Sequence, residues 1–420
     1  MKYANSLKFM NGFASAASPS DISAKRAGEV CSRLGKINMG TPVICMPADG
    51  AGHASAVMLE SVMVCSGHKV GRITSVFGYD SRASILINGE AAPIEDYTRA
   101  VTELKSSVAK DIDVTYLREE MTFVLGLLLC KMLSCEYILL EGLSGEDFSL
   151  DALCAPYDLI VMPSVYENDG GADKVKTLCD AVRRGTREVV SGNQKSEIYN
   201  RISNACVLNG NRLYIPLKAQ FEVTEYSSRH LSFSYGGRDG YSLNSPSYIL
   251  RDCAMTVIEC ALALRRNGVK MPWSGIAQGL SARIDTGCFD IMSVSPLVVL
   301  DTASCPEEIE LLNRTGIDIF GEKHISKFST CIPEEMLPYL KTFGDRKLKR
   351  LYVYSKNGDA DVSGIMADDI KILTEMKDMA SALDRLAKDF EDTVCFGGVS
   401  FICDLKAEVM KILNSVDMMY

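Results

Sequence analysis

The chain has 420 residues, of which 47% are hydrophobic and 24% are charged, a balance typical of folded proteins. Its 45 basic and 54 acidic residues give a net charge of −9, which disfavours non-specific binding to nucleic acid or to an acidic membrane. Its length predicts two or three domains. The sequence contains neither an apolar run of about 18 residues nor a secretion-signal pattern. We therefore expect a cytoplasmic protein without nucleic-acid or membrane partners.

Fifteen cysteines are spread along the chain, and their neighbours are apolar, as in Val-Ile-Cys45-Met and Leu-Leu-Cys130. Cysteine in such runs packs as a small hydrophobic residue. No two cysteines have the CxxC spacing typical of zinc sites. The sequence thus predicts free thiols in the core of a protein from a reducing compartment.

The first strong pattern is a strand, a loop, a helix and a second strand. Residues 41–46 form an apolar stretch, residues 47–53 contain two glycines, an apolar helical segment ends at Gly67, and residues 70–75 are again apolar. This order is a βαβ unit, which predicts a parallel sheet.

The alternation of strands and helices continues along the chain. Residues 212–234 change to a period of two, which predicts antiparallel strands. The other predicted strands are residues 137–141, 158–162, 297–301, 351–354 and 393–396. The predicted helices are residues 118–134, 172–184, 249–266, 307–314, 370–387 and 405–413.

The loop at residues 47–53 and the motifs after it resemble those of folylpolyglutamate and dihydrofolate synthases, of the Mur ligase superfamily. That family has G-T-N-G-K-G-S where this chain has Pro-Ala-Asp-Gly-Ala-Gly-His, and K-V-G-x-Y-T-S-P-H where residues 69–75 read Lys-Val-Gly-Arg-Ile-Thr-Ser. Its E-V-G strand end resembles Leu-Leu-Glu-Gly at residues 139–142, and its D-G-A-H-N-P resembles residues 301–306. The ordered set covers nearly the whole chain.

This resemblance implies an α/β fold throughout. A P-loop-like domain with a mostly parallel sheet is expected over residues 1–284, and a smaller Rossmann-like α/β domain over residues 285–420. The resemblance also implies that a ligand site lies in the cleft between the two domains.

Matching motifs give the candidate site residues. Gly50, Gly52, His53 and Asp301 are the candidate cofactor-binding residues, and Glu141 matches the family's magnesium-binding glutamate. Glu141 could instead be a strand-terminal glutamate facing solvent or a helix N-terminus, and Asp301 could instead cap the following helix. We expect both carboxylates to be exposed in the cleft, where open α/β sheets gather ligands.

Several residues differ from those the family uses to handle ATP. Ala51 stands at the phosphate-binding lysine, and His53 at the magnesium-binding serine. A P-loop needs that lysine because backbone amides alone cannot neutralise the charge on the β and γ phosphates. Further family residues are also replaced. The carbamylated lysine of the family falls near Cys179, Cys288 stands in place of an arginine, and Ser304 and Cys305 stand in place of a His-Asn pair. No catalytic residue is assigned.

Two functions remain open. The first is a pseudoenzyme that keeps the interdomain cleft to bind a small-molecule or protein ligand, or for regulation. The second is an ATP-dependent ligase that joins glutamate, or another amino acid, to a folate-like carboxylate, with ATP and magnesium as cofactors. The parallel losses favour the first. A third possibility is a different reaction that uses Cys179, Cys288 and Cys305, but no sequence motif indicates it.

Overall fold

Helices and strands alternate along the chain, as the sequence predicts, and the α/β class is confirmed. The computed structural model describes residues 2–74, 81–109, 111, 113–142, 150–165, 171–183, 185–282, 285–321, 327–343 and 347–417. Unit 1 comprises Met1–Ala48, Ser55–Phe221 and Asp252–Ile284. Unit 2 comprises Asp49–Ala54, Glu222–Arg251 and Asp285–Tyr420.

Unit 1 contains a mostly parallel sheet. Its eight described strands lie in the order β4-β3-β2-β5-β1-β6-β7-β8, with parallel pairing from β2 to β8 and an antiparallel hairpin, β3 and β4, at one edge. The strands are β1 Val43–Met46, β2 Val70–Thr74, β3 Ile85–Ile87, β4 Glu90–Ala91, β5 Tyr137–Glu141, β6 Tyr157–Met162, β7 Thr186–Ser191 and β8 Arg212–Tyr214. All four residues of β1 are buried, as expected for a central strand covered on both faces.

Helices pack around this sheet. They are α1 Tyr3–Met10, α2 Ala24–Arg33, α3 Gly50–Cys65, α4 Ile94–Val108, α5 Arg118–Met132, α6 Gly171–Arg183, α7 Ser196–Asn209, α8 Tyr248–Arg266 and α9 Trp273–Ser281. Helix α3 begins in unit 2 and continues into unit 1, and so does α8. In the part of the chain that the structure describes, no helix has both the length and the apolar character needed to cross a bilayer.

Helices α3 and α9 approach each other closely within unit 1. A Cβ atom placed on Gly279 would lie 2.4 Å from the Cα of Val62, and one placed on Gly275 would lie 2.7 Å from the hydroxyl of Ser66. The Ser61 hydroxyl donates a hydrogen bond to the Gly279 carbonyl at 2.9 Å. Glycine is required here because any side chain would overlap the backbone of the other helix.

Unit 2 contains two sheets. Six described strands form the larger one in the order β12-β13-β17-β14-β15-β16, with only β12 antiparallel to its neighbour, and β9 to β11 form a three-stranded sheet. The strands are β9 Phe221–Ser227, β10 His230–Tyr235, β11 Arg238–Leu243, β12 Asp290–Val294, β13 Leu297–Asp301, β14 Lys327–Pro333, β15 Lys347–Tyr354, β16 Ala367–Leu373 and β17 Thr393–Phe396. The helices are α10 Pro306–Phe320, α11 Met376–Lys388 and α12 Val399–Asp417.

Two predicted elements differ from the structure. The helix predicted over residues 370–387 begins only at Met376, because Ala367–Leu373 is a strand that pairs in parallel with β15. Ile370 and Ile372 alternate with charged residues, a pattern typical of a β-strand. The first part of the segment 212–234 was predicted to be antiparallel, but β8 pairs in parallel with β7. Ser75, Arg184 and Ile284, at the ends of predicted segments, lie outside the described residues.

The cysteines lie in the core. Thirteen of the fifteen are buried, and all of them are free thiols, as the apolar neighbours predict.

Candidate functional site

The loop after β1 leads directly into α3, and the chain caps this helix itself. The carboxylate of Asp49 accepts a hydrogen bond from the Gly52 amide at 2.7 Å, and its carbonyl accepts one from the His53 amide at 2.6 Å. Aspartate is a favoured N-cap because its negative charge satisfies an amide at the positive end of the helix. In a P-loop the amides of this turn hold phosphate. Here one of them is already bonded to a carboxylate of the protein.

Within unit 2, the start of α3 lies against the segment after β13. A Cβ atom placed on Gly50 would lie 3.3 Å from the Thr302 carbonyl oxygen and 3.5 Å from a carboxylate oxygen of Glu308. Ala51, Gly52 and His53 are buried, with His53 only 3% exposed. The structure therefore brings the three candidate residues of the loop together in one buried turn with an acidic side chain beside it.

Asp301 ends β13 and is completely buried. Its two carboxylate oxygens accept hydrogen bonds from the amides of Phe289 and Ala303, both at 2.7 Å. Burial raises the pKa of Asp301 to about 7, although the two amide hydrogen bonds oppose that rise. Asp301 therefore braces two loops instead of capping α10, whose N-cap position is Cys305.

The residues that replace the family's arginine and His-Asn pair lie in the same buried region of unit 2. Cys288 and Cys305 have no exposed surface, and the Cys288 sulfur lies 3.2 Å from the Thr302 hydroxyl. The amide and the hydroxyl of Ser304 both donate hydrogen bonds to Glu308, at 2.9 and 3.3 Å. These groups are thus engaged in local packing.

Glu141 ends β5, and its side chain is bonded to a basic residue on the neighbouring strand. Arg72 donates from Nη1 to Glu141 at 2.8 Å and from Nε to Glu60 of α3 at 2.7 Å. Burial works against the charge of Arg72, but the two carboxylates raise its pKa. The other oxygen of Glu60 accepts a hydrogen bond from the Gly89 amide at 2.7 Å. We call Arg72, Glu60 and Glu141 the arginine trio.

The prediction that Glu141 and Asp301 are exposed is wrong. Glu141 is 2% exposed and Asp301 is 0% exposed, because each carboxylate has found its partners inside its own unit. Sequence reasoning missed Arg72 and Glu60. A signal was present: an arginine inside the otherwise apolar strand Val-Gly-Arg-Ile-Thr needs carboxylates once it is buried.

Cys179, near which the resemblance places a carbamylated lysine, lies on α6. It is 6% exposed, and its thiol donates a hydrogen bond to the Arg201 carbonyl at 3.8 Å. Burial raises the pKa of this thiol, so it stays protonated at neutral pH. Cys179 is therefore a core thiol.

Comparisons with known proteins agree on one group of enzymes, although no family model matches the sequence. The curated dihydrofolate synthase/folylpolyglutamate synthase of Escherichia coli (strain K12) is 23% identical over 297 residues, covering 70% of this chain and 68% of that protein. The apo form of Lactobacillus casei FPGS has a TM-score of 0.77 at 15% identity, covering 98% of this chain and 100% of that chain.

Two further solved structures are similar. The FPGS-AMPPCP-folate complex has a TM-score of 0.77 at 16% identity, covering 98% and 100% of the two chains. Folylpolyglutamate synthase from Thermotoga maritima has a TM-score of 0.74 at 16% identity, covering 96% of each. The fold is therefore that of the solved folylpolyglutamate synthases. The sequence is also similar to a curated dihydrofolate synthase/folylpolyglutamate synthase, which confirms the resemblance found in the sequence.

Proposed function

We propose that this protein is a non-catalytic member of its family and does not use ATP to activate a carboxylate. The observation that carries the proposal is the turn at the start of α3. Ala51 replaces the lysine, the Asp49 carboxylate takes the Gly52 amide, and a carboxylate oxygen of Glu308 would lie 3.5 Å from a Cβ on Gly50. A triphosphate brought to this turn would meet two negative groups where the family supplies a positive one.

The other replaced residues support the same conclusion. Loss of one charged or hydrogen-bonding donor typically costs a catalytic site about a hundred- to a thousandfold in rate. Cys288 supplies no positive charge at the arginine position, Ser304 is hydrogen-bonded to Glu308, and Cys305 has no exposed surface. Such losses are not additive, but together they leave little to stabilise a transition state that forms an acyl phosphate.

The role that remains is binding or regulation. A relative has been solved with AMPPCP and folate, so the fold accommodates ligands of that kind. For this chain we propose a small-molecule or protein ligand that is bound without being ligated. Gly50, Gly52, His53 and Asp301, which are buried in unit 2, would then support its fold instead of holding a cofactor. The cytoplasmic location and the domain bounds 1–284 and 285–420 stay predictions from the sequence.

Calorimetry with millimolar ATP and magnesium tests the first half of the proposal. We expect no binding, or a dissociation constant in the millimolar range. A glutamate-dependent ADP-release assay with a reduced folate tests the second half, and we expect no release above background. A low-micromolar dissociation constant together with ADP release would establish the ATP-dependent ligase and overturn the proposal.

Variants of the turn sharpen the test. Ala51→Lys alone should not restore ATP binding, because the new lysine would be neutralised by Asp49 and Glu308. Ala51→Lys combined with Glu308→Gln should bind ATP at least tenfold more tightly than wild type, without restoring ligation. Glu310→Gln, an exposed position on α10, is the matched control and should have no effect in the Ala51→Lys background. ADP release by the single variant would show that only the lysine was missing.

A further inference from the structure

The family implies a magnesium ion at Glu141, but the residues around this carboxylate do not fit one. Magnesium prefers near-octahedral oxygen ligands and usually keeps several waters. The Glu141 side chain has no exposed surface, and it accepts a hydrogen bond from Arg72 at 2.8 Å. Among the described residues, no group of three or more His, Cys, Asp or Glu side chains could hold a metal.

The positive charge of Arg72 is a second reason why a magnesium ion does not fit at Glu141. A magnesium ion bound to Glu141 at about 2.1 Å would lie within roughly 5 Å of the Arg72 guanidinium. The two cations would repel each other in a region where Arg72 and Glu60 are 5% and 3% exposed, so water could not screen them. One of them has to be absent, and Arg72 is part of the chain.

In the arginine trio, Arg72 links two carboxylates as a bridging cation would. Arg72 donates from two different nitrogens to two different carboxylates, and these come from separate elements, α3 and β5. The planar guanidinium suits this role because its donors point outward in fixed directions. Arg72 also stands at the unspecified position x of the K-V-G-x-Y-T-S-P-H strand.

We propose that the guanidinium of Arg72 permanently replaces the divalent cation at Glu141, which makes this end of β5 independent of metal. The replacement concerns the metal and not the nucleotide. A chain that bound ATP but no metal at Glu141 would therefore overturn the proposed function and leave this inference intact.

The experiment measures Mn²⁺ and Mg²⁺ binding to the full-length chain. Mn²⁺ electron paramagnetic resonance on the wild type should show no ion whose binding is lost in Glu141→Gln. Arg72→Ala should unfold at a lower temperature, and millimolar Mn²⁺ or guanidinium should raise its midpoint. Its affinity for Mn²⁺ should be at least tenfold higher than that of the wild type, and adding Glu141→Gln should remove this gain.

Arg26→Ala provides the matched control, because among the described residues Arg26 pairs with a single buried carboxylate, that of Glu120. Its midpoint should fall without rescue by Mn²⁺. Wild-type Mn²⁺ binding that depends on Glu141 would overturn the inference, and so would a folded Arg72→Ala that gains no affinity for Mn²⁺. If Arg72→Ala does not fold, Arg72→Gln, which also removes the cation, replaces it and is judged by the same Mn²⁺ criteria, and the wild-type measurement decides the question by itself.

Discussion

Arg72 in unit 1 and Lys406 in unit 2 each lie between two carboxylates, and the two groups differ in their access to water. In unit 1 the arginine trio is closed off: the side chains of Arg72, Glu60 and Glu141 are 5%, 3% and 0% exposed. Water can therefore screen these charges only weakly.

In unit 2, Lys406 lies 2.7 Å from Asp285 and 2.6 Å from Asp290, so its distances match those of the arginine trio. Its side chain and that of Asp290 are each 25% exposed, and that of Asp285 is 63% exposed. Burial works against the charge of Lys406, but the two carboxylates raise its pKa. Although the distances are similar, the ion pairs of Lys406 should stabilise the protein less, because water and salt can screen the charges of the partly exposed group in unit 2.

The largest effect is expected from Arg72→Met. Removing the cation leaves two carboxylates buried without their partner, and breaking such a group costs about 3–5 kcal/mol. Urea denaturation should show a correspondingly lower free energy of unfolding. Arg99→Met, which breaks an exposed i,i+3 pair with Asp96, should cost less than about 1 kcal/mol. Equal effects of the two substitutions would contradict the comparison.

The buried carboxylate of Asp301 should give the next largest effect on stability. Asp301 has a pKa of about 7 in the folded protein and near 3.8 when unfolded. Between these values the folded state binds one proton more than the unfolded state, so stability falls as pH rises. The loss from pH 4 to pH 7 should be at most about 4 kcal/mol.

Denaturation curves at four values between pH 4.5 and pH 7.5 measure this dependence. Asp301→Asn does not titrate, so the difference in unfolding free energy between it and the wild type should change steadily across the range. A constant difference would mean that the amides of Phe289 and Ala303 keep the carboxylate ionised.

The smallest effect is expected from Lys406→Met. Because Lys406, Asp285 and Asp290 are partly exposed, we expect this substitution to lower the free energy of unfolding by about 1 kcal/mol at low ionic strength. In 1 M NaCl the loss should nearly vanish, since the screening length falls to about 3 Å. The cost of Arg72→Met should persist in the same salt. If salt reduced the cost of both substitutions equally, burial would not distinguish the arginine trio from the group around Lys406.

Most of the fold could be predicted from local patterns, because a strand such as β1 or a helix such as α5 can be recognised from its own sequence. The strand ends at Glu141 and Asp301 were found in the same way, from motifs. Their exposure could not be found, because it depends on neighbours far away in sequence. Arg72 reaches Glu141 only because β2 pairs with β5, a strand more than 60 residues later.

The turn at the start of α3 shows the same limit. The missing lysine at Ala51 was evident from the motif. The approach of Glu308 was not, because it requires the segment after β13 to fold against that turn. The strand at residues 367–373 was mistaken for a helix for a related reason: its short apolar pattern fits both structures, and pairing with β15 decides between them.

The close approach of α3 and α9 determines where this sequence is free to vary. A side chain at residue 279 would have to occupy the space of the Val62 backbone, and one at residue 275 would meet Ser66. In a library of random substitutions, we therefore expect Gly279 to be retained in nearly every folded clone. Ala51, at the other end of α3, stands where the motif it resembles has a lysine. The first turn of α3 thus differs from the motif it resembles, while the packing near its last turn requires glycine on α9.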